Sequence, residues 1–335
     1  MSRRACAAAA VAALAALAAC EHARPFAAYV EPNVPFDSTY PRRLTFSTSG
    51  DVEPAWLPGD SGIIYALSSG EPNQDQCLGV LPPGGGHLVR IVCHDLADPD
   101  STVLLRAPAV GAGGRLAYLR ERSVVGAAAP AAIELVVATL ADPDPGHAVL
   151  RFPYTDAGGT LHGSAGSLRW LPGGDLVYIA EQLTFATPPQ PPDTIATPLW
   201  IERLTPAGDT ATIAVVPGSA GATSLAVDSA GALYFTLPGD SVVYRVAPGA
   251  ASPSSWYVLG GIGALSGVQV HGNLLVAVGD TNLYVVDVAA HTRVRVTPPD
   301  SLRLARPALS PSGTRLVVEA ARPGLFPDLW LYQAP

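Results

Sequence analysis

A short apolar strand, a Gly-bearing tight turn and a second apolar strand recur six times along this 335-residue chain, and no other feature constrains its fold as strongly. Pro54-Ala55-Trp56-Leu57-Pro58-Gly59-Asp60-Ser61-Gly62-Ile63-Ile64-Tyr65 is matched by Leu168-Arg169-Trp170-Leu171-Pro172-Gly173-Gly174-Asp175-Leu176-Val177-Tyr178. The pattern returns from Pro108 to Tyr118, Leu225 to Tyr234, Val268 to Val276 and Pro307 to Val318. Gly and Asp in the turns supply positive φ and side-chain caps. Each copy is followed by a second hairpin, such as Leu283 to Val288 turning into Arg293 to Val296. The run Ile63-Ile64-Tyr65-Ala66-Leu67 suits a strand buried on both faces, whereas Arg293-Val294-Arg295-Val296 alternates like a half-exposed outer strand. Six units of four antiparallel strands, about 49 residues each, predict an all-β six-bladed propeller over 41–335. A sandwich or barrel of the same strand count is the alternative.

The two ends of the repeat complement one another. The sixth unit stops at Leu329-Trp330-Leu331-Tyr332 without a fourth strand, and Arg42-Arg43-Leu44-Thr45-Phe46 is a fourth strand without its first three. Pairing them closes the ring and removes an edge open to aggregation.

Arg-Leu-Thr-Phe (43–46), Pro-Ala-Trp-Leu-Pro-Gly-Asp (54–60) and Arg-Pro-Ala-Leu-Ser-Pro-Ser-Gly (306–313) resemble the WD-like repeats of the TolB propeller family. The resemblance covers 42–332 and is strongest in the first and sixth units, while the fourth, Leu225 to Phe235, looks closer to NHL-type repeats. It implies the propeller architecture. TolB itself carries an α/β domain before its propeller, which some 20 residues cannot encode, so TolB's partners are not carried over.

The first residues read as an address. Arg3 and Arg4 precede an apolar run from Ala5 to Ala19, too short as a helix to cross a ~30 Å hydrocarbon core. This is an export signal, 1–19. Leu17-Ala18-Ala19-Cys20 resembles the bacterial lipobox, whose Cys is lipidated and becomes the mature N-terminus; Cys20 is then the anchor in the membrane. Glu21 after it, rather than Asp, favours the outer membrane. Residues 20–40 bear Pro and lack periodicity, as an extended tether would.

Composition removes several chemistries. Every basic residue is Arg and there is no Lys, which excludes Schiff-base chemistry and the phosphate-loop lysine. The formal charge is −8, and it becomes −10 (18 Arg against 28 acids) once 1–19 is removed, so no nucleic-acid partner is expected. With Cys6 in the signal and Cys20 lipidated, Cys77 and Cys93 remain as a pair in an oxidising compartment, flanking Pro82-Pro83-Gly84-Gly85-Gly86. A hairpin turning there sets the two opposite each other for a disulfide; two buried thiols are the alternative. No Gly-x-Ser-x-Gly elbow occurs, the His residues show no metal spacing, and no cofactor is expected. Asp98-Pro99-Asp100 and Asp142-Pro143-Asp144 read as turns between third and fourth strands rather than as Ca²⁺ ligands.

Loop lengths point to a face. The linkers between second and third strands are long in the first three units, 68–86, 120–130 and 181–197, but only 238–240 and 279–281 in the fourth and fifth. Loops this long in a compact repeat are functional or tolerated insertions. Arg120, Glu121 and Arg122, with Glu181 and Gln182, follow second strands and are expected to converge near the central opening, with His162 close by, as a binding face for a polar ligand or envelope protein. The chain thus reads as a membrane-anchored, non-enzymatic binding or scaffold propeller of the cell envelope. The alternative is a propeller-type lyase or hydrolase acting on a sugar or lactone.

Overall fold

The computed structural model describes residues 41–46, 50–68, 76–94, 101–124, 132–144, 147–156, 159–182, 199–216, 224–279, 282–296 and 302–334, all within the unit Phe36–Pro335. Export signal, Cys20 and tether lie outside these residues, as do 98–100 and most of the 181–197 linker.

The described strands form six antiparallel sheets, the blades. Blade 1 comprises Gly50–Trp56, Ile63–Ser68, Gln76–Leu81 and Val89–His94. Blade 2 comprises Ser101–Val110, Arg115–Val124, Ala132–Thr139 and Leu150–Phe152. Blade 3 runs through Leu161–Trp170, Leu176–Gln182, Leu199–Leu204 and Thr210–Val216, and a two-residue strand, Tyr154–Thr155, adds to the free edge of its first strand. Blades 4 and 5 begin at Ser224–Val227 and Leu265–His271, and blade 6 contains Arg303–Leu309, Arg315–Ala321 and Asp328–Gln333. First strands of successive blades pack on one another all the way round, blade 6 on blade 1 included. These inner strands surround the axis.

Closure follows the complementarity of the two ends. Arg42–Arg43 pairs antiparallel with Asp328–Gln333, Arg42 opposite Leu331 and Arg43 opposite Trp330, and the Leu44 N–H donates to Leu329 O at 2.7 Å. Thr45 Oγ1 accepts from the Leu329 N–H at 2.9 Å, and Arg43 Nη2 meets Asp328 Oδ2 at 2.6 Å.

The core lies between blades and explains the repeated tryptophan. Trp56 of blade 1 donates its indole N–H to Ala308 O of blade 6 at 2.8 Å, and Trp170 of blade 3 donates to Ala109 O of blade 2 at 3.1 Å. The guanidinium opening the second strand of the preceding blade covers each ring, Arg315 at 4.9 Å from Trp56 and Arg115 at 4.6 Å from Trp170. Such a cation over an indole adds ~0.5–2 kcal/mol to the apolar burial. Each Arg also reaches the next blade's turn, Arg115 to Gly174 O at 2.7 Å and Arg315 to Asp60 O at 3.3 Å. Gly111 is required where Trp170 packs, since a Cβ there would sit 2.8 Å from the indole.

Two expectations are corrected. Gln76–Leu81 is the third strand of blade 1, so the 68–86 linker shrinks to residues 69–75 and Pro82–Gly86 becomes the turn into the fourth strand. Asp98–Asp100 accordingly falls between blades 1 and 2, not between third and fourth strands; Asp142–Asp144 sits where expected. The corrected register places Cys77 opposite Cys93, and they are disulfide-bonded with Cα atoms 4.2 Å apart.

That bond closes a 16-residue separation, for which chain entropy gives about 3 kcal/mol of stabilisation. The Cys77→Ala/Cys93→Ala variant is expected to lose about this much in equilibrium denaturation, and reductant is expected to destabilise the wild type equally. A wild type whose midpoint ignores reductant contradicts the assignment.

Candidate functional site

The inner strands do not run straight past the axis. In blades 1, 2, 3 and 6 each carries a bulge, and at the bulge one non-glycine residue adopts the left-handed conformation: Glu53 (φ 57), Ala107 (φ 49), Ser167 (φ 51) and Arg306 (φ 41). These are equivalent repeat positions, each immediately before the Pro or Leu that leads into the second half of the strand. A left-handed non-glycine residue costs of order 1–3 kcal/mol, so something must hold it there.

Carboxylates do so. The Glu53 N–H donates to Glu319 Oε1 of blade 6, and the Ala107 N–H donates to Glu53 Oε2, so each carboxylate accepts the strained amide of the next blade. Guanidiniums neutralise them. Arg106 lies 3.3 Å from Glu53 Oε1 and 2.9 Å from Glu121 Oε1, and Arg306 lies 3.2 Å from Glu319 Oε2 and 3.8 Å from Glu53 Oε1. Burial works against the Arg106 charge, but Glu53 and Glu121 outweigh it and strengthen its hold on the proton. At Glu319 burial prevails over Arg306 and raises the carboxyl above its ordinary value.

Beside this network the axis opens into a cavity of about 220 Å³, lined by inner-strand residues of all six blades at the end where first and second strands are joined. Trp56, Trp170, Gln269, His271 and Ser310 are in its wall with apolar neighbours, and Arg169 supplies its guanidinium. The Arg169 Nη1 donates to Leu168 O at 2.7 Å, but no carboxylate among the described residues lies within ion-pair distance. Burial pushes its pKa down to about 10, with Glu53 opposing the shift, so it remains a cation at neutral pH. A second cavity, about 520 Å³, lies between blades 3 and 4; its charged pair, Asp175 and Arg203, is self-compensated at 3.7 Å.

The residues singled out in the sequence separate. Alternation sends Glu121 to Arg106 of the inner strand and Arg120 and Arg122 to the opposite face of the same sheet. There Glu134 receives Arg120 at 2.7 Å, Arg151 at 3.0 Å and Arg122 at 3.6 Å across three neighbouring strands. Burial alone would raise the Glu134 carboxyl, yet these guanidiniums hold it below the ordinary range. Glu181 is exposed near the end of its strand, and the Gln182 side chain lies outside the described part. His162 is fully buried between blades 2 and 3, stacked on Tyr154 and edge-on to Trp200, with Nε2 at 3.1 Å from Asp156 Oδ2. Its backbone lies opposite Gln182 in the paired strands. Among the described residues, no three His, Cys, Asp or Glu side chains gather as metal ligands would.

By sequence, no protein-family profile matches the chain and no curated protein is found as a relative. Solved structures do match. One, described as a candidate gluconolactonase, shares 15% identity and a TM-score of 0.55 over 88% of this chain and 91% of its own. A luciferin-regenerating enzyme matches at 11% identity and a TM-score of 0.52, covering 88% and 95%, and the nidogen/laminin complex at 14% and 0.52, covering 75% and 81%. The likeness is one of fold.

The interface holding His162 also buries Glu202, which accepts a hydrogen bond from the Thr212 hydroxyl at 2.8 Å. Burial raises its pKa above the ordinary 4.5, against the Thr212 bond and the proximity of His162. The folded state therefore binds this proton more tightly than the unfolded chain, so the cost of ionising Glu202 is absent below pH 4.5 and complete above its folded pKa. Glu202→Gln is expected to stabilise the protein at pH 8 and to be neutral at pH 4, as read by thermal unfolding at both. Destabilisation at pH 8 contradicts this.

Proposed function

We propose that this chain is a lipid-anchored propeller of the bacterial envelope that binds a ligand on the ring axis and does not transform it. The observation that carries the reading is the pairing at the axis. Glu53, Glu121 and Glu319 are each tied to Arg106 or Arg306, and the first and last of them also hold strained amides. A carboxylate so held cannot shuttle protons without releasing the backbone it fixes. His271, the titratable ring in the cavity wall, has no carboxylate at ion-pair distance among the described residues. The walls come from all six blades and are set before a ligand arrives, which suits binding.

Anchoring rests on Arg3-Arg4, the apolar run and Leu17-Ala18-Ala19-Cys20. The Pro-Ala-Trp-Leu-Pro-Gly-Asp repeat supports a place beside the TolB-type propellers as an architecture, without their partners. The runner-up, lactone or sugar chemistry, draws on the fold shared with the candidate gluconolactonase and the luciferin-regenerating enzyme.

Two measurements test the proposal. Labelled palmitate is expected to enter the wild type in a lipoprotein-competent bacterium and to be lost in Cys20→Ala; an unlabelled wild type overturns the anchor. Incubation of purified protein with glucono-δ-lactone is expected to release acid no faster than buffer alone. Saturable turnover that is lost in Glu53→Gln overturns the binding reading in favour of the enzyme.

A further inference from the structure

We infer that the axial cavity is a site for a small organic monocarboxylate, with the Arg169 guanidinium as its anchor. This rests on the reading of the axis as a binding site and adds the chemical class of what binds.

Charge comes first. The axial network holds three carboxylates, Glu53, Glu121 and Glu319, and Arg106 and Arg306 take every close pairing with them. Arg169 is in the cavity wall with one hydrogen bond to a carbonyl and no carboxylate partner among the described residues. A guanidinium presents five N–H donors in a planar fork matched to a carboxylate, so most of its donors remain to be used. Arg169 is the guanidinium lining the cavity and no Lys is present to add another, and three carboxylates already face two guanidiniums beside it, so two added negative charges are matched worse than one. A phosphate dianion is therefore poorly matched.

Shape and polarity come next. Two indoles, Trp56 and Trp170, are locked in the wall by their bonds to Ala308 O and Ala109 O and by the cations over their rings. Side chains already held in this way receive a ligand with little ordering cost. A volume of about 220 Å³ lies below the ~300–1,000 Å³ of sites for drug-sized molecules, so the ligand is small. Removal from bulk water strengthens the attraction between Arg169 and an incoming carboxylate, because little solvent screens it.

The test uses detergent-solubilised full-length protein, with tryptophan fluorescence and calorimetry as readouts. The probes are benzoate and hexanoate, their neutral amides, and inorganic phosphate. Both carboxylates are expected to saturate one site at least tenfold more tightly than their amides, and phosphate to compete weakly or not at all. Raising salt from 50 mM to 500 mM is expected to weaken the carboxylates several-fold and leave the amides unchanged. Arg169→Gln is expected to abolish the carboxylate preference, and Arg169→Lys to keep part of it. Amides binding as tightly as carboxylates overturn the anion inference while leaving the axial binding reading intact. Tighter phosphate binding overturns the monocarboxylate class. No saturable signal from any probe overturns this inference, while the acid-release and palmitate assays still judge the broader reading. Should Arg169→Gln not fold, the carboxylate-to-amide ratio and its salt dependence in the wild type decide alone.

Discussion

Glu53 bears on three blades at once, and the order at the axis depends on it. Its own amide is taken by Glu319 of blade 6, its Oε2 takes the Ala107 amide of blade 2, and its Oε1 lies between Arg106 and Arg306. Blades 6 and 1 come from opposite ends of the chain, so this residue works where a circular fold has least help from connectivity. The paired strands 42–43 and 328–333 close the outer edge of that junction, Trp56 closes its interior, and Glu53 closes its axis. Conformational strain at Glu53 and Ala107 is offset by charge-assisted bonds to their amides, which are about twice as strong as neutral ones.

Much of this fold was legible in the sequence because it is repeated. A short apolar run followed by a Gly turn announces two strands in each of six units, and the strand missing at one end is present at the other. The disulfide was legible from the Pro-Pro-Gly-Gly-Gly turn between the cysteines, and that same inference required Gln76–Leu81 to be a strand. Gly79 in its middle disguised it, since glycine weakens a strand pattern; in the fold Gly79 is where a Cβ would sit 2.5 Å from Leu88.

The axial site was not legible, for a physical reason. Glu53 and Glu319 are 266 residues apart, and only ring closure brings them together. Arg106, Arg169 and Arg306 do not occupy one position of the repeat, so no alignment of units reveals a shared charge. Arg120-Glu121-Arg122 failed as a cluster because strand alternation divides neighbours between two faces. His162 was expected on the binding face and is core, its ring packed between two aromatics. What alternation and burial leave at the axis is three carboxylates on two guanidiniums, with Arg169 outside their close pairings.

That account makes Glu53 a structural residue, and a double-mutant cycle tests it most directly. Glu53→Gln, Arg106→Gln and the double variant would be compared by equilibrium denaturation. Contact at 3.3 Å, with the Glu53 side chain 11% exposed and Arg106 39%, predicts a coupling of about 1 kcal/mol or more. Coupling below about 0.3 kcal/mol, with each single variant as stable as the wild type, would contradict it.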